Sequence, residues 1–306
     1  MSNATTADTP NAVLVRLRIS QFGNNRNDRR LTAEVKRDKQ LGDESGNWTK
    51  HRFPPGPLKA IGSVASKLRQ AHYALTLPYE DGQRIVTSGT LARYEAEVAN
   101  MRTAFNDAIN ALAPREPMGS KEKPDYNWML AEARQMHNGR FDASEYTDWD
   151  GFKAQFAATV QFTPFPAASH FINTVSGSAL ARMRADLTAQ NDTRIRQAVA
   201  DTWWRLIQPV RHMAEKLASP DAVFRDTLVD NVREMTALIP ALNLTNDSRL
   251  TGAARDIETA FAGLSAQTLR ENKVERKAVA EAAARIVAQF GSLGVRKLDT
   301  GDEADE

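Results

Sequence analysis

The order of apolar and polar positions divides this chain into a short mixed front and a long helical remainder. From Ala12 to Ser20 the pattern has period two. Val13, Val15, Leu17 and Ile19 point one way, and Leu14, Arg16, Arg18 and Ser20 the other, as in a half-buried strand. A polar turn is expected over 23–28, and Thr32 is placed to cap a short helix to about Gln40. Pro54-Pro55-Gly56-Pro57 then opens a helix from Leu58 to about Leu75, because proline is pre-set for the first helical turn. Its expected buried face is Ile61, Val64, Ala65, Leu68 and Tyr73. Thr90 is placed to cap the next helix, where Leu91, Tyr94, Val98, Met101, Phe105, Ile109 and Leu112 recur at spacings of three and four.

Prolines between 114 and 124 predict a linker, followed by a helix over 125–137 and a short one over 151–156. Ala158 to Thr163 alternates again and stops at Pro164. Two strands so far apart in sequence need partners, so they are expected to share one small sheet. From Ser178 the period is helical. Leu180, Met183, Leu187, Ile195, Val199, Trp203, Leu206, Val210, Met213 and Leu217 trace one stripe, with Pro209 expected to kink it. Helices over 221–238, 253–264 and 265–290 complete the pattern.

The predicted fold class is α+β, predominantly α-helical: a helix-rich body with long kinked helices, and a small sheet joining an N-terminal strand to a strand near residue 160. The expected division is a disordered lead (1–11), an N-terminal α+β domain (12–175), a helical domain (176–291) and an acidic disordered tail (292–306).

At 306 residues and 42% hydrophobic content the chain has the composition of a globular protein. No apolar run approaches the roughly 20 residues that span a bilayer, so no membrane partner is expected. The first dozen residues have no basic-then-apolar leader. There is no cysteine, which excludes disulfides, thiolate metal sites and cysteine nucleophiles. Cytoplasmic localisation is the expectation.

Charge changes this picture by its distribution. Residues 1–79 carry 13 Lys/Arg against 6 Asp/Glu, 80–298 balance at 27 each, and the last eight residues hold five acids and no base. A basic head and an acidic tail suit a chain that meets polyanions. Arg16 and Arg18 project from one strand face, Arg26, Arg29 and Arg30 lie in or just after the Asn-rich turn, and Lys36, Arg37, Lys39, Lys50 and Arg52 follow. Such clusters bind phosphates through counterion release. Trp48, His51 and Phe53 interleave with Lys50 and Arg52, and single-stranded bases stack on such rings. The candidate nucleic-acid-binding residues are therefore Arg16, Arg18, Arg26, Arg29, Arg30, Trp48, Lys50 and Arg52. The competing interpretation is a solvated basic surface with Trp48 and Phe53 half-packed.

Other chemistry has less support. The five histidines are scattered without metal-ligand spacing, and His72 reads as an interior residue. Asp142, Glu145, Asp148 and Asp150 crowd together but lack the order of a calcium loop, and capping by Asp142 and Asp150 is the simpler account. No glycine motif for phosphates and no nucleophile elbow is present. No catalytic residue, metal or cofactor is assigned; a non-enzymatic role is expected, and an enzyme with an unrecognised site stays open as a third reading. Trp203 and Trp204 sit about 100° apart on their helix; they pack against neighbouring helices or, where exposed, mark an oligomer contact.

Three blocks together carry a family resemblance: the run over 72–85 (His72-Tyr73 through Leu77-Pro78-Tyr79 to Arg84-Ile85), Asp142-Ala143-Ser144-Glu145-Tyr146 with the strand ending Phe162-Thr163-Pro164, and Pro220-Asp221-Ala222-Val223-Phe224-Arg225-Asp226-Thr227-Leu228-Val229. From Val13 to Leu250 the chain resembles a family of tailed-bacteriophage and prophage proteins of unknown function. The resemblance implies a phage setting, in the cytoplasm of a bacterial host, and a neighbourhood of AAA+ ATPases. It transfers no activity and no catalytic residue. The expected function is a non-enzymatic phage protein of DNA metabolism that binds single-stranded DNA through the basic N-terminal region. The alternative is a helical oligomeric scaffold or adaptor, self-associating or joined to a phage protein partner such as an AAA+ ATPase.

Overall fold

In the computed structural model the alternation from Ala12 is realised as strand β1 (Ala12–Ser20), followed by β2 (Asn25–Asn27), α1 (Arg29–Asp38), β3 (Thr49–His51) and α2 (Pro55–Leu75). Next come β4 (Leu77–Pro78), β5 (Arg84–Thr87), α3 (Ser88–Asn110), α4 (Tyr126–His137), α5 (Trp149–Lys153) and β6 (Ala157–Pro164). The chain continues helically as α6 (Gly177–Ala218), α7 (Thr227–Leu242), α8 (Ser248–Ala260), α9 (Ala266–Glu271) and α10 (Lys273–Phe290). The structure describes residues 11–80, 82–166, 177–219 and 222–293. The expected lead and acidic tail fall almost wholly outside them.

The fold is α+β and predominantly α-helical, with a four-stranded antiparallel sheet in the order β4-β5-β1-β6. The two strands read from alternation are thus neighbours. Two strands of this sheet, β4 and β5, were not foreseen. β5 pairs with β1 so that Leu14 faces Ile85 and Val15 faces Arg84, and β4 pairs with β5 through Leu77 and Ile85. Both faces of β1 are covered in its first half, where Leu14 and Val15 are each buried.

The chain divides into two compact units. One comprises Met1–Arg16, Tyr73–Tyr94 and Gln161–Glu306. Its main core is helical: Leu206, Val210 and Met213 of α6 pack with Val232 and Ile239 of α7, Leu250 and Ile257 of α8, and Ala283 of α10. A smaller cluster joins Leu14, Leu77 and Ile85 of the sheet to Ala198 and Leu242. Gly89 marks a close approach within this unit, since a Cβ there would stand 2.7 Å from the Ala241 carbonyl oxygen. The same carbonyl accepts from Thr87 Oγ1 at 2.6 Å. α6 continues as one helix through Pro209. The helix expected over 265–290 is two, because Asn272 stops α9 and caps α10 with its side chain, accepting from Val274 N and Glu275 N.

The other unit comprises Leu17–His72 and Glu95–Val160. Its core is aromatic. Phe53 is buried among Phe22, Tyr126, Tyr146 and Phe152, with ring centroids 5.2–5.7 Å away, tilted or edge-on as ring quadrupoles favour. Ile61, Ala65, Phe105, Ile109 and Met129 complete it. His72 is buried as expected, whereas Tyr73 is exposed. Caps differ from expectation at two helices. Asp28 rather than Thr32 caps α1, accepting from Leu31 N at 2.9 Å. At α3 the Thr87 hydroxyl accepts from Thr90 N at 3.2 Å. No helix among the described residues is long and apolar enough to cross a membrane.

Candidate nucleic-acid interface

The basic front of the chain folds as a two-stranded ribbon followed by one helix. β2 and β3 pair antiparallel, Asn25 opposite His51, Arg26 opposite Lys50 and Asn27 opposite Thr49. None of these residues is apolar, so the ribbon is held by other means. Asn24 brackets Phe53: its amide donates to the Phe53 carbonyl at 2.9 Å and accepts from Phe53 N at 2.8 Å. Phe53 then enters the aromatic core and anchors the end of the ribbon.

Arg26 and Lys50 are like charges directly opposite one another, a pairing that destabilises a ribbon. A carboxylate from a distant segment offsets it. Glu145 ends the short 3₁₀ turn Ala143–Glu145, and it places Oε1 3.8 Å from Arg26 Nε and Oε2 2.9 Å from Lys50 Nζ. The Lys50 contact is a close ion pair without hydrogen-bond alignment. Asp28 stands 3.9 Å from the same ammonium. Asp142 starts the turn, accepting from Ser144 N at 3.0 Å and Ser144 Oγ at 2.7 Å. These bonds hold its carboxyl below the usual aspartate range. Asp148 caps α5 through Gly151 N at 2.8 Å. Among the described residues no group of three or more His, Asp or Glu is placed to hold a metal.

Arg52 also turns inward. Its guanidinium lies 3.9 Å from the centre of the Phe22 ring, its Nε and Nη2 donate to the Gly23 carbonyl, and Nη1 reaches the Glu145 carbonyl at 3.4 Å. Burial first, and the charge of Arg26 second, lower its pKa, with Glu145 and Tyr146 opposing. Tyr146 donates to the Arg52 carbonyl at 2.8 Å. Burial, followed by the charge of Glu145, pushes the Tyr146 phenol up to about 12.

The eight candidates therefore separate by what surrounds them. Lys50, with 11% of its side chain exposed, and Arg52 are engaged within the unit, while Arg26 is exposed but leans on Glu145. Arg16 is half-buried in the other unit, and Arg18 is exposed on β1. Arg29, Arg30 and Trp48 come together at the start of α1. Trp48 accepts at its carbonyl from Asp28 N at 2.9 Å and donates its own N–H to Thr32 Oγ1 at 2.9 Å. Its backbone thus clasps the first turn of α1 while its side chain stays half-exposed, at 51% for the residue. Arg29 and Arg30 are exposed, and no ion pair among the described residues engages either.

Helix α1 buries no residue completely. Leu31 and Val35 give it a half-buried side. Arg29, Ala33, Lys36, Arg37 and Gln40 fall together on the opposite side by helical spacing. That side lines an open cavity of about 610 Å³, closed by the returning loop through Leu41, Asp43 and Asn47. Lys36 and Arg37 were among the basic positions of the sequence but outside the candidate set. The 100° step per residue that gathers them with Arg29 was the available signal.

Trp203 and Trp204 lie in the helical unit. Trp203 is 3% exposed and stacks on Phe290 at 5.8 Å, so its ring is spent inside the fold. Trp204 is half-buried, its Nε1 3.0 Å from the Gln208 amide oxygen when that amide is turned to accept.

Fold and surface together define a mostly helical α+β protein that carries a basic ribbon-and-helix surface with Trp48 half-exposed beside it. Comparison with protein-family models, with curated proteins and with solved structures gives no match to this chain.

Proposed function

We propose that this protein binds single-stranded nucleic acid on the surface formed by β2, β3 and the start of α1, as a non-enzymatic phage protein of DNA metabolism. One observation carries the proposal: a half-exposed Trp48 is fixed by backbone bonds beside the exposed Arg29 and Arg30, neither of which makes an ion pair among the described residues, with Asp142 acting on Arg30 only through its charge. A ring beside exposed guanidiniums is what an unpaired strand needs, because its bases expose stacking faces and its phosphates one charge each. Base stacking on one aromatic side chain is worth about 1–3 kcal/mol. Each neutralised phosphate of a single strand adds about 0.7 to the slope of log affinity against log salt.

The test is fluorescence anisotropy with a labelled oligothymidylate, titrated at several salt concentrations. Trp48→Ala is expected to weaken binding about tenfold or more with the salt slope unchanged. Arg29→Glu with Arg30→Glu is expected to weaken it and flatten the slope. Absence of binding at low salt, or wild-type affinity in the charge-reversal variant, refutes the proposal.

A further inference from the structure

The cavity on α1 takes Asn27 of β2 and Asn47 into its lining, and its chemistry is more specific than a basic surface. Arg29, Lys36 and Arg37 line it against a single acid, Asp43, with the amides of Asn27 and Asn47 at its edge. Its wall is a built turn. Leu41 N donates to the Lys36 carbonyl at 2.8 Å, Gln40 takes a positive φ of 50°, and Ser45 Oγ donates to the Gly42 carbonyl at 2.7 Å. Lys36 Nζ donates to the Asp43 carbonyl rather than to its carboxylate, so the wall is closed without neutralising the lysine. Arg37 meets Asp38 through Nε at 3.2 Å in a pair that is largely exposed and therefore weak.

The lining carries a net of two positive charges within about 610 Å³, a volume in the range of small-ligand sites. An internal phosphodiester brings one negative charge. A terminal phosphomonoester brings about 1.5 to 2 at neutral pH and three strong acceptor oxygens. The dianion is the closer match in charge and in the number of donors. Asn47 lies in the lining and Trp48 is the next residue, so a nucleotide stacked at Trp48 has the cavity beside it.

We infer that this cavity receives a phosphomonoester, and that it does so as the phosphorylated end of the strand held by Trp48. The strand part of this inference rests on the nucleic-acid function proposed above; the cavity part does not. The same dianion is presented by a free mononucleotide, and the experiment separates the two sources.

Binding of the full chain would be measured by anisotropy to one oligothymidylate prepared with a 5′-phosphate, with a 3′-phosphate or with hydroxyl ends. Thymidine monophosphate and inorganic phosphate would be assayed alone by calorimetry. A terminal phosphate at one of the two ends is expected to tighten binding about tenfold, the effect of one added charge-assisted hydrogen bond. Lys36→Gln with Arg37→Gln should abolish that gain and leave the hydroxyl-ended strand bound. The gain should also fade below about pH 6, as the phosphomonoester loses its second charge.

Equal affinity for phosphorylated and hydroxyl ends overturns the end-binding inference while leaving the nucleic-acid function standing. Mononucleotide binding that is lost in the Lys36/Arg37 variant, with no oligonucleotide bound, supports the cavity and overturns the strand. Failure of every phosphate ligand overturns both.

Discussion

Replacing Glu145 with Gln should lower stability and raise nucleic-acid affinity at once. The carboxylate is the shared partner of Arg26 and Lys50, which face each other across the ribbon. Only 11% of either the Lys50 or the Glu145 side chain is exposed. Removing one member of a fully buried pair costs about 3–5 kcal/mol, and an exposed pair is worth about 0–1 kcal/mol. This pair lies toward the buried end, but Asp28 at 3.9 Å still holds the ammonium. A loss of about 2 kcal/mol follows, most of it from the cross-strand repulsion left behind. Urea unfolding of Glu145→Gln, Lys50→Met and the double variant isolates the coupling, expected at about 1 kcal/mol or more. The affinity effect has the opposite sign, because Arg26 and Lys50 regain charge that the carboxylate had balanced. The oligothymidylate should bind more tightly at low salt, with a salt slope steeper by about 0.7 per released cation. Coupling below about 0.5 kcal/mol refutes the hub assigned to Glu145. Tighter packing with weaker binding refutes its placement beside the interface.

Two further outcomes concern the fold itself. Gly89→Ala puts a methyl group 2.7 Å from the Ala241 carbonyl oxygen, so calorimetry should show a loss of about 1–3 kcal/mol, the usual cost of overpacking; a neutral result excludes the close approach. Tyr146 sets an alkaline limit. Its folded pKa is raised to about 12 against an ordinary value of about 10, so the unfolded state loses the proton first. The contribution of Tyr146 to stability is then constant below pH 10 and falls as pH rises from about 10 to 12, and Tyr146→Phe should flatten that fall in pH-dependent denaturation. An unchanged slope in the variant assigns the loss to Tyr79, Tyr94 or Tyr126, whose burial also raises them.

The long elements were legible because burial imposes a period on them. β1 and β6 alternate, and the stripe from Leu91 to Leu112 reappears with Tyr94, Val98, Phe105, Ile109 and Leu112 buried. The short ones carry too few residues to show a period: β4 is two residues long and β5 is four. β2 and β3 contain no apolar residue at all, so hydrophobic alternation could not reveal them. Caps were misplaced for a related reason. Asp28 and Thr32 are both good cap residues, and only the clasp between Trp48 and Thr32 Oγ1 removes the second from competition.

The candidate interface shows the same division in its charges. Arg29, Lys36 and Arg37 share one side of a helix, so their grouping follows from spacing within a single element. Lys50 and Arg52 sit in the same basic run, yet they are claimed by Glu145, more than ninety residues further along. No local pattern identifies that residue as their partner, by its carboxylate for Lys50 and its carbonyl for Arg52, since the acids from Asp142 to Asp150 read equally well as caps. Net charge along the sequence counts every cation alike, but an arginine contributes to a polyanion surface only in so far as the fold leaves it unpaired. By that criterion the candidate interface moves off the ribbon's centre, where the candidates were densest, to the first turn of α1, where Arg29 and Arg30 lie between Asp28 and Thr32, the two residues that hold the Trp48 backbone in place.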